Sequence, residues 1–241
     1  MQLISCHSGK LQTLSAGALK ASSGRVFRTG LEALDGLAPA GAFACGTVHE
    51  LLSRQEFRPL FVALLLAKGA ASSGQKTQGG PIVWCDPKSE LYPPALAAAG
   101  VSLRQLFLLR PQTPADQIWA IAECLGCKGV GATVATLGKL SRIEARRLQL
   151  SAERGGGVGI LLRPMGTMSA NYAATTRWLV EPAAGERTVQ RWKIQLLHGH
   201  GGRIGQTVFL EVCRETDHVR AVESLEPRSR QAADAAARAT G

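Results

Sequence analysis

The chain predicts an α/β fold: a doubly wound, mostly parallel sheet with an antiparallel extension towards the C-terminus. Three observations carry this expectation. Short apolar runs alternate with helical segments from residue 47 to residue 162, the order that puts helices on the faces of a parallel sheet through right-handed crossovers. Beyond Arg163 the helical pattern stops and three strand-like runs follow, separated by glycine-containing loops. The 241 residues, 45% of them hydrophobic, suffice for one sizeable core and fit one main domain with tails better than two full domains.

Residues 1–24 are rich in Ser, Gly, Ala and Lys, with Leu11, Leu14 and Leu19 able to support at most a short helix, so this segment is expected to be a mobile arm. The core domain is expected over residues 25–212. It opens on Thr29-Gly30-Leu31-Glu32-Ala33-Leu34-Asp35, where Thr29 is a candidate cap for a short helix. Residues 47–52 then read as the first core strand, and residues 58–71, apolar on much of their circumference, as a helix buried against the sheet.

Residues 81–85 and 106–109 are short apolar runs ended by Asp86-Pro87 and Arg110-Pro111, as in buried parallel strands. Between them residues 93–100 begin with proline and end with glycine, the usual asymmetry of helix ends. Residues 113–126 form a longer amphipathic helix, residues 130–137 a strand, residues 142–154 a helix, and residues 158–162 a further strand. Residues 177–181, 189–197 and 207–212 are the strands of the extension. The tail, residues 213–241, mixes arginines and acids with few large apolar side chains and an alanine-rich end, so it is expected to be disordered or ordered only by a partner.

The formal charge of +10 and a pI near 9.8 favour a nucleic acid or an acidic partner, although excess arginine also serves plain solubility. No run of eighteen apolar residues and no secretory leader pattern is present, so a cytoplasmic protein without a membrane segment is expected. Cys6, Cys45, Cys85, Cys124, Cys127 and Cys213 lack the spacing of a disulfide framework and are expected to be free thiols.

Ligands of such sheets bind at the carboxyl ends of the strands. After the first strand, a phosphate-binding loop needs glycines, a lysine and a Ser or Thr for magnesium, whereas Ser53-Arg54-Gln55-Glu56-Phe57-Arg58-Pro59-Leu60 offers none of that arrangement. The strand ending at Leu137 lacks a terminal acid for magnesium. Cys124 and Cys127 could mark a redox pair or half a zinc site, but no second such pair exists, and two cysteines near the end of a packed helix is the simpler reading. No catalytic residue and no metal ligand is assigned.

For DNA or a partner the candidates are Arg163 with the loop over residues 164–173, and the basic hairpin residues Arg191, Lys193, His198, His200 and Arg203; arginines there could hold phosphates without reading bases. A charged, solvated sheet edge accounts for the same residues. Trp178 and Trp192 read as core or interface, and Arg146 and Arg147 as a solvated helix face.

The segment from Arg28 to Asp35, followed by Gly46-Thr47-Val48-His49-Glu50-Leu51, resembles the entry into the core of the RecA family. Trp84-Cys85-Asp86-Pro87, residues 96–103 and Leu106-Phe107-Leu108-Leu109-Arg110-Pro111 are similar to that family's second strand, helix and third strand. Within it, residues 145–153, Leu161-Leu162-Arg163-Pro164 and Gly201-Gly202-Arg203 resemble the ImuA type of SOS mutagenesis accessory protein. The similar segments span roughly residues 26–212. Against active RecA proteins, no Gly-Lys-Thr follows Leu52, Lys88 stands about where a catalytic glutamate would, Thr136 replaces a strand-end acid, and Arg163 occupies the place of a nucleotide-sensing glutamine.

Hydrolysis needs phosphate cradle, metal and water positioning together, so the resemblance with these departures implies a pseudo-ATPase without a cofactor. It also implies a non-catalytic role in SOS-induced mutagenic translesion DNA synthesis. The implied partners are an ImuB-like inactive Y-family polymerase adaptor and an error-prone replicative-type polymerase, with the RecA filament and non-specific DNA as further candidates. The alternatives are a cell-division inhibitor of the SulA type, which also resembles a RecA-like core without a phosphate loop, and a residual nucleotide-binding ATPase.

Overall fold

The computed structural model describes residues 3–7, 10–14, 25–54, 57–73, 80–167, 174–185, 188–213 and 218–222. Strands β1 (Leu3–His7) and β2 (Lys10–Leu14) pair antiparallel, within the segment expected to be an arm. A second small ladder, β3 (Val26–Phe27) with β4 (Phe43–Ala44), brackets the four-residue helix α1 (Glu32–Asp35).

Thr29 is not the cap of that helix; Leu31 holds the cap position and offers no side-chain bond. Thr29 works from outside, accepting the Leu31 amide at 3.2 Å while its hydroxyl and amide donate to Asp35 Oδ1 at 2.8 and 2.9 Å. The helix is one turn long, so a hydroxyl two residues upstream can reach its far end. This leaves the buried Asp35 carboxylate partnered.

The alternation then runs as expected: β5 (Thr47–Ser53), α2 (Leu60–Ser72), β6 (Ile82–Cys85), α3 (Pro93–Ala98), β7 (Leu106–Leu109), α4 (Pro114–Gly126), β8 (Ala132–Thr136), α5 (Arg142–Gly155) and β9 (Val158–Pro164). β10 (Thr176–Ala183), β11 (Val189–Gly199), β12 (Thr207–Cys213) and β13 (Val219–Val222) complete the main sheet. Its nine strands lie in the order β13-β12-β11-β10-β5-β9-β8-β6-β7. Every pair from β10 to β7 is parallel and every pair from β10 to β13 antiparallel. The protein is therefore α/β with a large mixed sheet and five α-helices among the described residues, and β10 belongs to both halves.

β13 extends the sheet past residue 212, where the sequence pattern alone ended the domain. Its four residues carry only modest apolar character, and pairing with β12 supplies the backbone bonds that hold them. The rest of the C-terminal tail lies outside the described residues.

Two cores flank the sheet. On one face α2 buries Val62, Ala63, Leu66 and Ala67 against Trp84, Val134, Ile160 and Leu162, a layer that continues into the extension through Trp178, Trp192 and Ile194. On the other face Ile121 and Leu125 of α4 and Leu148 and Ala152 of α5 pack on Val48, Ala135 and Leu161.

The starts of α4 and α5 are set locally. Thr113 accepts the Asp116 amide at 3.1 Å ahead of Pro114, and Ser141 and Glu144 exchange side-chain and backbone bonds as a capping box. α5 ends on Gly156 in the left-handed conformation, φ 76°. α4 and α5 converge at their C-terminal ends because residue 155 is glycine: a Cβ there would lie 2.0 Å from the Leu125 carbonyl oxygen.

Candidate functional site

The carboxyl ends of the parallel strands are occupied by groups that hold one another. Past β5, Arg54 pairs with Glu181 at 3.0 Å, Phe57 stacks on Trp192 with ring centroids 4.8 Å apart, and Arg58 is ion-paired with Glu90. Pro59 caps α2 without a side-chain bond and has no amide proton to offer an anion. Gln55 and Glu56 lie outside the described residues. At the end of β6, Asp86 is buried and accepts the amides of Glu90 and Leu91 at 3.1 and 2.9 Å, so its carboxylate braces a turn. Thr136, at the end of β8, has its carbonyl bonded by the Gln117 amide group at 3.0 Å.

Arg163 closes β9 and is 4% exposed. Its guanidinium donates to Glu50 Oε1 at 2.7 Å and to the Gly138 carbonyl at 3.2 Å, while Arg177 donates to Glu50 Oε2 at 2.5 Å. Glu50, Arg163 and Arg177 come from β5, β9 and β10, adjacent strands whose register brings the three side chains to one sheet face. The candidate Arg163 is thus turned inwards by strand alternation, where Glu50 neutralises its charge; of the loop that follows it, residues 168–173 lie outside the described residues. Glu50 and Arg177 were missed as a pair, although two charged residues inside apolar strand runs were a visible signal.

The remaining candidates fall into two groups. Arg191 and Lys193 lie on the face of β11 opposite Trp192 and Ile194. Arg191 donates to Glu211 Oε1 at 2.5 Å, Arg220 to Glu211 Oε2 at 2.8 Å, and Lys193 Nζ lies 3.9 Å from Glu181. Burial would push the Glu211 carboxyl up, but the bonds from Arg220 and Arg191 more than reverse this and hold it below the usual range. His198, His200 and Arg203 stand at the other end of β11, roughly seven residues or ~24 Å along an extended strand; His198 is half-buried, His200 and Arg203 exposed. The structure therefore does not gather the six residues into one site.

His49 is fully buried behind Phe27 and Phe43, its Nδ1 2.7 Å from the Thr176 hydroxyl and its Nε2 2.9 Å from the Ala44 carbonyl. Burial lowers its pKa to about 4 against the weaker opposing effect of the Ala44 bond. Cys124 and Cys127 sit at the C-terminal end of α4, and burial followed by the neighbouring Cys127 and Glu123 raises the Cys124 thiol, the opposite of thiolate activation. Burial also pushes Cys85 up to about 11. Among the described residues no three His, Cys, Asp or Glu side chains are grouped as a metal site, and no helix is long and apolar enough to cross a membrane.

Fold and strand-end chemistry together define an α/β protein built on a nine-stranded mixed sheet, with ion pairs and turns at the strand ends that usually hold ligands. No protein-family model matches the chain. It is 28% identical to Protein ImuA of two strains of Caulobacter vibrioides, over 75% of this chain and 81% of that protein, a similarity that supports an ImuA-like protein. It is also 24% identical to the cell division inhibitor SulA of Klebsiella aerogenes, over 51% of this chain and 71% of SulA.

Proposed function

We propose that this chain is a non-catalytic, RecA-like accessory protein in SOS-induced mutagenic translesion DNA synthesis. Its similarity to Protein ImuA suggests the setting in SOS mutagenesis. In that role it bridges an ImuB-like inactive Y-family polymerase adaptor and an error-prone replicative-type polymerase in the cytoplasm, with the RecA filament and DNA as further contacts. The observation that carries the pseudo-ATPase reading is the junction between β5 and α2. Phe57, packed on Trp192, and the Arg58–Glu90 pair stand where a phosphate cradle would need glycines and a free lysine.

DNA contact, in this reading, comes from Lys193, His200 and Arg203, whose side chains reach solvent, with Arg191 shared with Glu211. Thermal unfolding of the purified chain with ATP and magnesium, and with single-stranded DNA at two salt concentrations, tests both halves. No shift with ATP and a salt-sensitive shift with DNA are expected. A magnesium-dependent ATP shift would overturn the pseudo-ATPase half, and no DNA shift at low salt would remove direct DNA binding.

The similarity to SulA over about half of the chain favours a second reading, a cell-division inhibitor. Inhibition of filament assembly by a purified tubulin-like division protein would establish it, and unaffected assembly would exclude it.

A further inference from the structure

The outer surface of α4 and α5 is used by none of the foregoing. Between the two helices runs a groove of about 760 Å³ lined by Glu123 of α4 and, from α5, Arg142, Ile143, Arg146, Arg147, Leu150 and Arg154. The inward face of α5 is consumed by the core through Leu148 and Ala152. Its outward face nevertheless keeps two large aliphatic side chains in water: Ile143 is 82% exposed and Leu150 47%. Trp119, 57% exposed, stands one turn before Glu123 on the same side of α4.

Solubility explains arginines on an outer helix, but not this apolar row. Ile143 and Leu150 are seven residues apart, two turns and about 10 Å along the axis, the spacing at which one helix presents anchors to another. The charges around them are one-sided. Four guanidiniums line the groove against the one carboxylate of Glu123, and the ion pair beside it is loose, with Arg146 3.9 Å from Glu153. Glu144 is committed to the capping box of α5. Arg154, at the end where the helices converge, rests on Gly126.

We infer that the α4/α5 groove is a docking surface for an acidic amphipathic helix of a partner protein, which seats two or three apolar side chains on Ile143, Leu150 and Trp119 and its carboxylates on Arg142, Arg146 and Arg147. Nucleic acid fits less well: phosphates would use the arginines but leave the exposed aliphatic side chains in water, whereas an amphipathic helix satisfies both at once. The site lies on the opposite sheet face from Trp192 and does not depend on the functional reading above.

The test uses the full chain and fluorescence anisotropy. The probes are a labelled peptide of roughly 16 residues, with leucines at helical spacing among glutamates, its sequence-scrambled counterpart, and oligothymidylate of about 20 nucleotides. The patterned peptide is expected to bind at least tenfold more tightly than the scrambled one. Ile143→Asp with Leu150→Asp should abolish that preference while leaving the unfolding temperature and oligonucleotide binding unchanged, and Arg146→Glu with Arg147→Glu should weaken the peptide at least tenfold. Equal binding of both peptides, no binding of either, or displacement of the peptide by oligothymidylate together with indifference to the aspartate variant would overturn the assignment.

Discussion

Replacing Glu50 by Gln removes one negative charge and almost no volume from a site where two guanidiniums depend on it. The side chains of Glu50, Arg163 and Arg177 are 5%, 4% and 2% exposed, and both carboxylate oxygens are bonded, at 2.7 and 2.5 Å. Breaking a buried ion pair by removing one partner costs about 3–5 kcal/mol, because the charge left behind keeps its desolvation cost. Glu50→Gln should thus lose ~3–5 kcal/mol, a large part of the 5–15 kcal/mol typical of a whole domain. The assay is urea unfolding followed by tryptophan fluorescence, which the buried Trp84, Trp178 and Trp192 report.

Arg163→Met should destabilise the protein and leave DNA binding, measured on the folded fraction, as it was. The apolar triple replacement Glu50→Leu, Arg163→Met, Arg177→Met should recover most of the loss, since the desolvation cost disappears with the charges. A Glu50→Gln midpoint indistinguishable from wild type, or an Arg163→Met protein of full stability and weakened DNA binding, would refute the buried assignment and return Arg163 to the surface.

Two further outcomes follow from the packing. His49 is neutral in the folded state at neutral pH, and its pKa of about 4 lies below the ordinary 6.5. The unfolded chain therefore binds the extra proton first as pH falls; stability is full above pH 6.5 and declines towards pH 4, by about 2 kcal/mol between pH 7 and 5. Urea titrations at the two pH values should show this slope in the wild type and lose it in His49→Gln; an unchanged slope in the variant would place the titrating group elsewhere. Gly155→Ala drives a methyl group against the Leu125 carbonyl, 2.0 Å away before relaxation. It should cost about 1–3 kcal/mol by overpacking, read as a lowered unfolding temperature, and a neutral result would mean that α4 and α5 separate without penalty.

The sequence by itself determined the order and nature of the main elements, because its signals there are local. Apolar runs such as Ile82–Cys85 and Leu106–Leu109 are short and bounded by proline, and Ser141 with Glu144 marks the start of α5 through bonds that span three residues. The composition of the β5–α2 segment was legible for the same reason, since a phosphate loop is a local pattern and Ser53 to Leu60 carries neither its glycines nor its lysine. Tertiary structure alone decided where the charged side chains of the strands point and whom they meet.

Arg163 reads as basic in any window, but its partner Glu50 lies 113 residues away on the neighbouring strand. Likewise, Arg191 and Arg203 look like one basic hairpin until strand geometry sets them towards opposite ends of β11 and Glu211, brought in from β12, takes up Arg191. The outer face of α5 shows the same division. Arg146 and Arg147 read as a solvated helix face, and only the packing of α4 beside α5 turned those arginines, with Ile143 and Leu150 on either side of them, into a groove. A side chain's type is written at its own position, but its burial and its neutralising charge depend on strands and helices that the chain brings together from far away.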